Sequence, residues 1–176
     1  MADFAGQVRR ALAAELARCT EWDLPPALRF MTEHGGRVEV LQRNPVPDYI
    51  WGALSSPPAV LAYMAANAGR TPLPGYARAL APPPCGIVLV TEGWAVAEPR
   101  NPPPAFTRQL RADRNARRLH TRLDRREVRN AHAATTGGQF AACQFRGEPI
   151  EILPAALGGV PDSLLTLWRA IEQALR

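Results

Sequence analysis

Lysine is missing from this chain: all 21 basic residues are arginine. Without lysine there is no Walker A phosphate loop, no pyridoxal Schiff base and no amine nucleophile or base. Motifs of the GxGxxG, HExxH, GxSxG and EF-hand types are absent too, which removes the usual supports of nucleotide-binding and metallohydrolase readings. Cysteine is scarce and odd in number. Cys19, Cys85 and Cys143 share no close spacing, so neither a disulfide framework nor a CxxC metal site is expected, and a reducing cytoplasm is the default location. No apolar run approaches the roughly 20 residues of a membrane span. The first helix carries Arg9 and Arg10 among its apolar residues, unlike a signal-peptide core. No membrane role, cofactor or metal is expected.

What remains is ordinary for a globular protein. The 176 residues are 47% apolar and 21% charged, enough for one domain that buries roughly 70% of its unfolded surface. The organising stretch is Cys85–Pro99, CGIVLVTEGWAVAEP, fenced by triple prolines at 82–84 and 102–104. Ile87, Val88, Leu89 and Val90 form a run suited to a strand buried on both faces. From Thr91 the pattern alternates, with Glu92, Trp94, Val96 and Glu98 on one face. Gly93 points to a bulge or a close backbone approach. Glu92 is expected where the strand leaves the core, or paired with an arginine such as Arg129.

Around this strand the chain falls into short elements. Residues 3–19 read as an amphipathic helix with Asp3 as N-cap and Phe4, Val8, Leu12, Leu16 and Cys19 on one face. Ala27–Glu33 and Arg37–Arg43 flank a His34-Gly35-Gly36 turn as a hairpin. Tyr49, Ile50 and Trp51 stand in a turn-rich loop, and its aromatics are expected to tuck it onto the core. Ser56-Pro57 opens a helix that runs to about Ala68, and Thr71–Pro84 is a connection. After the central strand, Glu127–Thr136, Gln139–Arg146 and Pro149–Leu153 form a meander turned at Gly137-Gly138 and Gly147-Glu148. Pro161 starts a last helix with a Leu164, Trp168, Ile171 and Leu175 stripe.

The order is written α-β-β-α-β-β-β-α. It gives an α+β fold with a mainly antiparallel sheet, one domain over residues 1–176 with an arginine-rich excursion at 100–126. That order resembles the profilin-like and roadblock-like folds, which implies an interaction or dimerisation module. The stretches TEGW (Thr91–Trp94), EVR (Glu127–Arg129) and RGEP (Arg146–Pro149) resemble small uncharacterised proteins of actinobacteria and their phages, a resemblance that carries no activity with it.

Two constellations hold chemistry. Between Arg108 and Arg129 lie nine arginines against Asp113, Asp124 and Glu127, a local charge of +6 on a chain whose total is +5. If this segment is helical, Arg111, Arg114, Arg118, Arg122, Arg125 and Arg129 share one face. With Arg108 they form a candidate nucleic-acid or polyanion surface. No aromatic residue lies between Arg108 and Arg129 to stack bases, and the bland alternative is a solvated excursion or an acidic protein partner. The second constellation is Cys143 with His132 and Asn130. The Gly137-Gly138 turn puts His132 opposite Cys143, the composition of a thiol nucleophile and its base. The next turn puts Cys143 opposite Ile152, which favours buried packing. A zinc site from His120, His132 and Cys143 has no ligand-spaced pair to start from. The preferred expectation is a non-enzymatic protein acting through a protein partner or a homo-oligomer. Nucleic-acid binding through residues 108–129 is the first alternative, and a thiol enzyme at Cys143 and His132 the second.

Overall fold

The computed structural model describes residues 3–54, 56–96, 98–99, 101–156 and 158–176. Its centre is β3 (Pro84–Val96), hydrogen-bonded on one side to β1 (Ala27–His34) and on the other to β4 (Arg125–Thr135). With β2 (Arg37–Val40), β5 (Gly138–Phe145) and β6 (Ile150–Leu153) it makes a six-stranded antiparallel sheet in the order β2-β1-β3-β4-β5-β6. This is the α+β class expected. The hairpin, central strand and ribbon supply one strand more than the order written from the sequence. Ala97 and Arg100, at the ends of the expected strand and excursion, lie outside the described residues.

Alternation along β3 divides the interior in two. Ile87 and Leu89 face one side, with Leu28 and Phe30 of β1 and Ala134 of β4. There they meet α3 (Pro57–Ala66), α4 (Leu73–Arg78) and α6 (Gly159–Leu175), through Val60, Leu61, Met64, Leu73, Leu164, Trp168 and Ile171. Val88 and Val90 face the other side, where α1 (Phe4–Arg18) lays Val8, Leu12 and Leu16 on Ala131, Ala133 and Ala142. The alanines of β4 and β5 keep the sheet surface low, so helices approach both faces closely. Truncating Leu12, which is fully buried, would cost about 2–5 kcal/mol.

Several local readings change. Asp3 and Ser56 stand at helix N-caps, but neither side chain makes a capping hydrogen bond. The loop read at 71–84 contains α4, because Leu73, Pro74 and Ala77 bury beneath it. The loop after β2 holds the short helix α2 (Asp48–Gly52); its Trp51 is buried in the core as expected of a tucking aromatic, whereas Tyr49 is exposed. Gly93 makes no bulge: it sits in continuous register opposite Val128, and a Cβ there would meet nothing within 4 Å. The close approach occurs at Gly86, where a Cβ would lie 2.6 Å from the Ala134 carbonyl oxygen. The register shift comes between Met31 and Thr32 of β1, where Cys85 is the extra residue on β3.

The ribbon registers also differ from those expected. Thr135 pairs with Gly138, so the turn residues are Thr136 and Gly137. The Thr135 hydroxyl accepts from the Gly137 amide at 3.1 Å and donates to the Gly138 carbonyl at 3.1 Å, closing that turn instead of a Gly137-Gly138 one. Beyond β5 the connection is one residue out of the expected register, so Glu151 stands opposite Cys143 and Ile152 opposite Ala142. A single-residue shift exchanges the faces of a whole strand. Among the described residues no helix is long and apolar enough to cross a membrane.

Candidate interaction site

The far half of β3 leaves the double-sided core at Thr91, and its side chains meet the turn after α1, the start of β4 and the β5–β6 turn. Glu92 lies directly opposite Arg129. The guanidinium, only 1% exposed, donates through Nε to the Glu92 carboxylate at 2.8 Å and through Nη2 at 2.5 Å. Its remaining donors go to the backbone carbonyls of Cys19 and Glu21. The second Glu92 oxygen accepts the amides of Asp23 at 2.6 Å and Leu24 at 3.2 Å. One buried ion pair therefore stitches the turn after α1 to two strands. It also holds Asp23 at φ 65, in the left-handed region that a non-glycine residue enters at a cost. The pairing of Glu92 with Arg129 is the one read from the sequence.

Arginine stacked on aromatic rings is the second feature of this end. Arg129 lies over Trp22 at 4.4 Å, with Arg146 also over that ring at 5.6 Å. Arg125 covers Trp94 at 4.9 Å, Arg126 covers Phe145 at 4.3 Å and Arg122 covers Phe106 at 5.5 Å. Carboxylates interleave them. Arg146 binds Glu127 at 2.5 Å, which holds its guanidinium more firmly protonated, and Arg126 binds Glu148. The three stretches TEGW, EVR and RGEP thus meet in one place. Between Trp22 and Trp94 opens a cleft of about 300 Å³, lined also by Asp23, Leu24, Glu92, Gly93 and Glu127. Trp94 is 38% exposed and Leu123, two residues before Arg125, is fully exposed.

The arginine segment is not one helix. Helix α5 (Pro104–Asn115) ends before Arg117, which takes φ 56, and a single 3-10 turn at Leu119–Thr121 leads into β4. The face proposed for Arg111, Arg114, Arg118, Arg122, Arg125 and Arg129 therefore does not form, since the last two belong to a strand. Most of the candidate charges are engaged locally. Arg114 binds Glu98 at 3.0 Å; Arg118 and Arg122 bind Asp113 at 3.4 and 2.9 Å; Arg122 also binds Asp124 at 2.6 Å. Hydrogen bonds from Arg122 hold both the Asp113 and Asp124 carboxyls below the usual carboxylate range. Asp113 and Leu110 are buried beneath α5 and fix the helix against this clasp. Arg108 and Arg111 are exposed on α5 and make no ion pair among the described residues. The aromatic partners come from outside residues 108–129: Trp94 from β3, Phe145 from β5, Trp22 from the turn after α1 and Phe106 from the first turn of α5.

The thiol constellation loses its geometry. Cys143 stands opposite Asn130, and His132 opposite Ala141, so the cysteine and histidine share a face but are offset by two residues. Burial pushes the Cys143 thiol up, and the nearby Glu151 carboxylate pushes it further. Burial lowers the His132 imidazole to about 4, leaving it neutral, and its Nδ1 finds no hydrogen-bond partner among the described residues. Burial also raises Cys19, and Cys85 to about 11. A protonated thiol beside a neutral, displaced imidazole is no activated nucleophile. His120 is exposed in the 3-10 turn, away from the strand positions of the other two. Among the described residues no group of three or more His, Cys, Asp or Glu could hold a metal ion.

The chain matches no protein-family model, no curated protein and no solved structure. Sequence reasoning passed over Trp22 and Asp23 altogether. The available signal was their place in a short turn before Pro25-Pro26, with a tryptophan also two residues after Glu92.

Proposed function

We propose that this protein is a non-enzymatic, cytoplasmic binding protein that engages a protein partner, another chain or a second copy, through the Trp22–Trp94 end of the sheet. The observation that carries this reading is the half-exposed Trp94 stacked with Arg125 at the mouth of a preformed cleft, beside the fully exposed Leu123. Tryptophan and arginine dominate the energetics of protein interfaces, because each covers a large apolar area while keeping a polar edge. Rigidity supports it as well: the Glu92–Arg129 pair holds the cleft before any partner arrives, which lowers the cost of ordering on binding.

The polyanion reading is weaker. Carboxylates of the same chain face most of the arginines that would neutralise phosphates, so the surface is mixed in sign. The thiol-enzyme reading has a raised thiol and a displaced histidine against it. The test is light scattering and affinity co-purification from the native cells, run on the wild type and Trp94→Ala side by side. A dimer or a stoichiometric partner lost in the variant is the expected result. A strict monomer that retains no partner in either form counts against the proposal.

A further inference from the structure

We infer that the Trp22–Trp94 cleft is a seat for a basic side chain, arginine or lysine, presented by an extended segment of a partner protein. This rests on the binding reading above and names its chemistry. The first argument is complementarity: the cleft lining includes the carboxylates Asp23, Glu92 and Glu127, two tryptophans and no cationic residue. Glu92 and Glu127 are already paired in contact, whereas Asp23 acts on Arg146 only through its field and makes no side-chain hydrogen bond or ion pair among the described residues. The second argument is that both tryptophans already serve as cation seats. Arg129 and Arg146 lie over Trp22, and Arg125 lies over Trp94. Cations are drawn to the negative face of an indole ring, more strongly where water is excluded.

Arg125 occupies a different rank from Arg129. It is exposed, and the one hydrogen bond its side chain makes among the described residues runs to the Arg122 carbonyl at 2.8 Å, so an incoming cation can displace it from Trp94. It is therefore an internal competitor, and removing it should strengthen binding.

The experiment titrates the full chain with an acetylated, amidated Gly-Gly-Arg-Gly-Gly peptide, following indole NMR shifts and tryptophan fluorescence. The same peptide with glutamate in place of arginine is the control. A dissociation constant of roughly 0.1–1 mM is expected for one seated side chain. The glutamate peptide should bind at least about tenfold more weakly, by charge mismatch. Asp23→Asn should weaken the arginine peptide about threefold, and Arg125→Ala should tighten it about threefold. If one of these variants fails to fold, the other still decides the matter. Equal binding of both peptides, no shift of the Trp94 indole, or no response to Asp23→Asn and Arg125→Ala overturns the inference. So does a concentration-dependent dimer that Arg108→Glu with Arg111→Glu abolishes, because the occupant is then a second copy. A partner lost in Trp94→Ala while the arginine peptide stays unbound sinks this inference alone and leaves the binding reading intact.

Discussion

Replacing Glu92 by glutamine tests the structural premise of the site. The change keeps size and shape but removes the negative charge facing a guanidinium that is 1% exposed. Arg129 keeps the Cys19 and Glu21 carbonyls, and it loses the charged acceptor of its Nε and one Nη2 bond. The amide oxygen can accept only part of what the carboxylate took from Arg129 and from the amides of Asp23 and Leu24. Removing one member of a buried pair costs about 3–5 kcal/mol, chiefly because the other charge stays buried. The retained carbonyls place Glu92→Gln at the lower end, about 3 kcal/mol. Urea unfolding followed by circular dichroism reads this directly as a shift of midpoint at constant slope. Glu92→Leu combined with Arg129→Met should cost less than the sum of the two single changes, since no charge is left unpaired. A Glu92→Gln loss below about 0.5 kcal/mol would refute the reasoning: it would mean the pair is solvated and the turn after α1 is not pinned by it.

Three further outcomes follow from particular contacts. His132 titrates at about 4 when folded and 6.5 when free, so the unfolded chain binds the extra proton between these values. Its contribution is complete above about pH 6.5 and is lost as pH falls toward about 4, by roughly 3 kcal/mol; His132→Gln should remove that part of the pH–stability curve, and an unchanged curve would contradict it. Gly86→Ala forces a methyl group against the Ala134 carbonyl and should cost about 1–3 kcal/mol, whereas Gly93→Ala should stay within about 0.5 kcal/mol; thermal melts of the two, side by side, check the contrast. Arg108 and Arg111 are exposed and make no ion pair among the described residues, so duplex DNA titrated over a salt series should give a logarithmic slope no steeper than about 2. A slope near 5 or 6 would restore the polyanion reading.

The core was legible in the sequence where one physical rule acted alone. Prolines bound β3 because they cannot extend a central ladder, and the 3.6-residue stripes of α1 and α6 mark the faces they bury. Register was not legible. Gly137-Gly138 reads as the natural loop pair, but the Thr135 hydroxyl closes a turn one residue earlier, and no composition rule ranks those two turns. That shift of pairing is what parted Cys143 from His132. The ion pair at Glu92 was foreseen because a lone carboxylate at the end of an apolar strand needs a cation. The arginine–aromatic stacks were not foreseen: Phe145 meets Arg126 across the β4–β5 pairing, and Trp22 meets Arg129 because the turn after α1 is held against β4.

Site-specific photo-crosslinking tests the central claim most directly, with a benzophenone side chain placed at position 94 in one version of the protein and at position 63 in another. Trp94 opens onto the cleft, whereas Tyr63 is an exposed aromatic residue of α3 that does not line it. The account predicts a discrete adduct from position 94, suppressed when Leu123→Ala is added, and none from position 63. An adduct from position 63 with none from position 94 would contradict it.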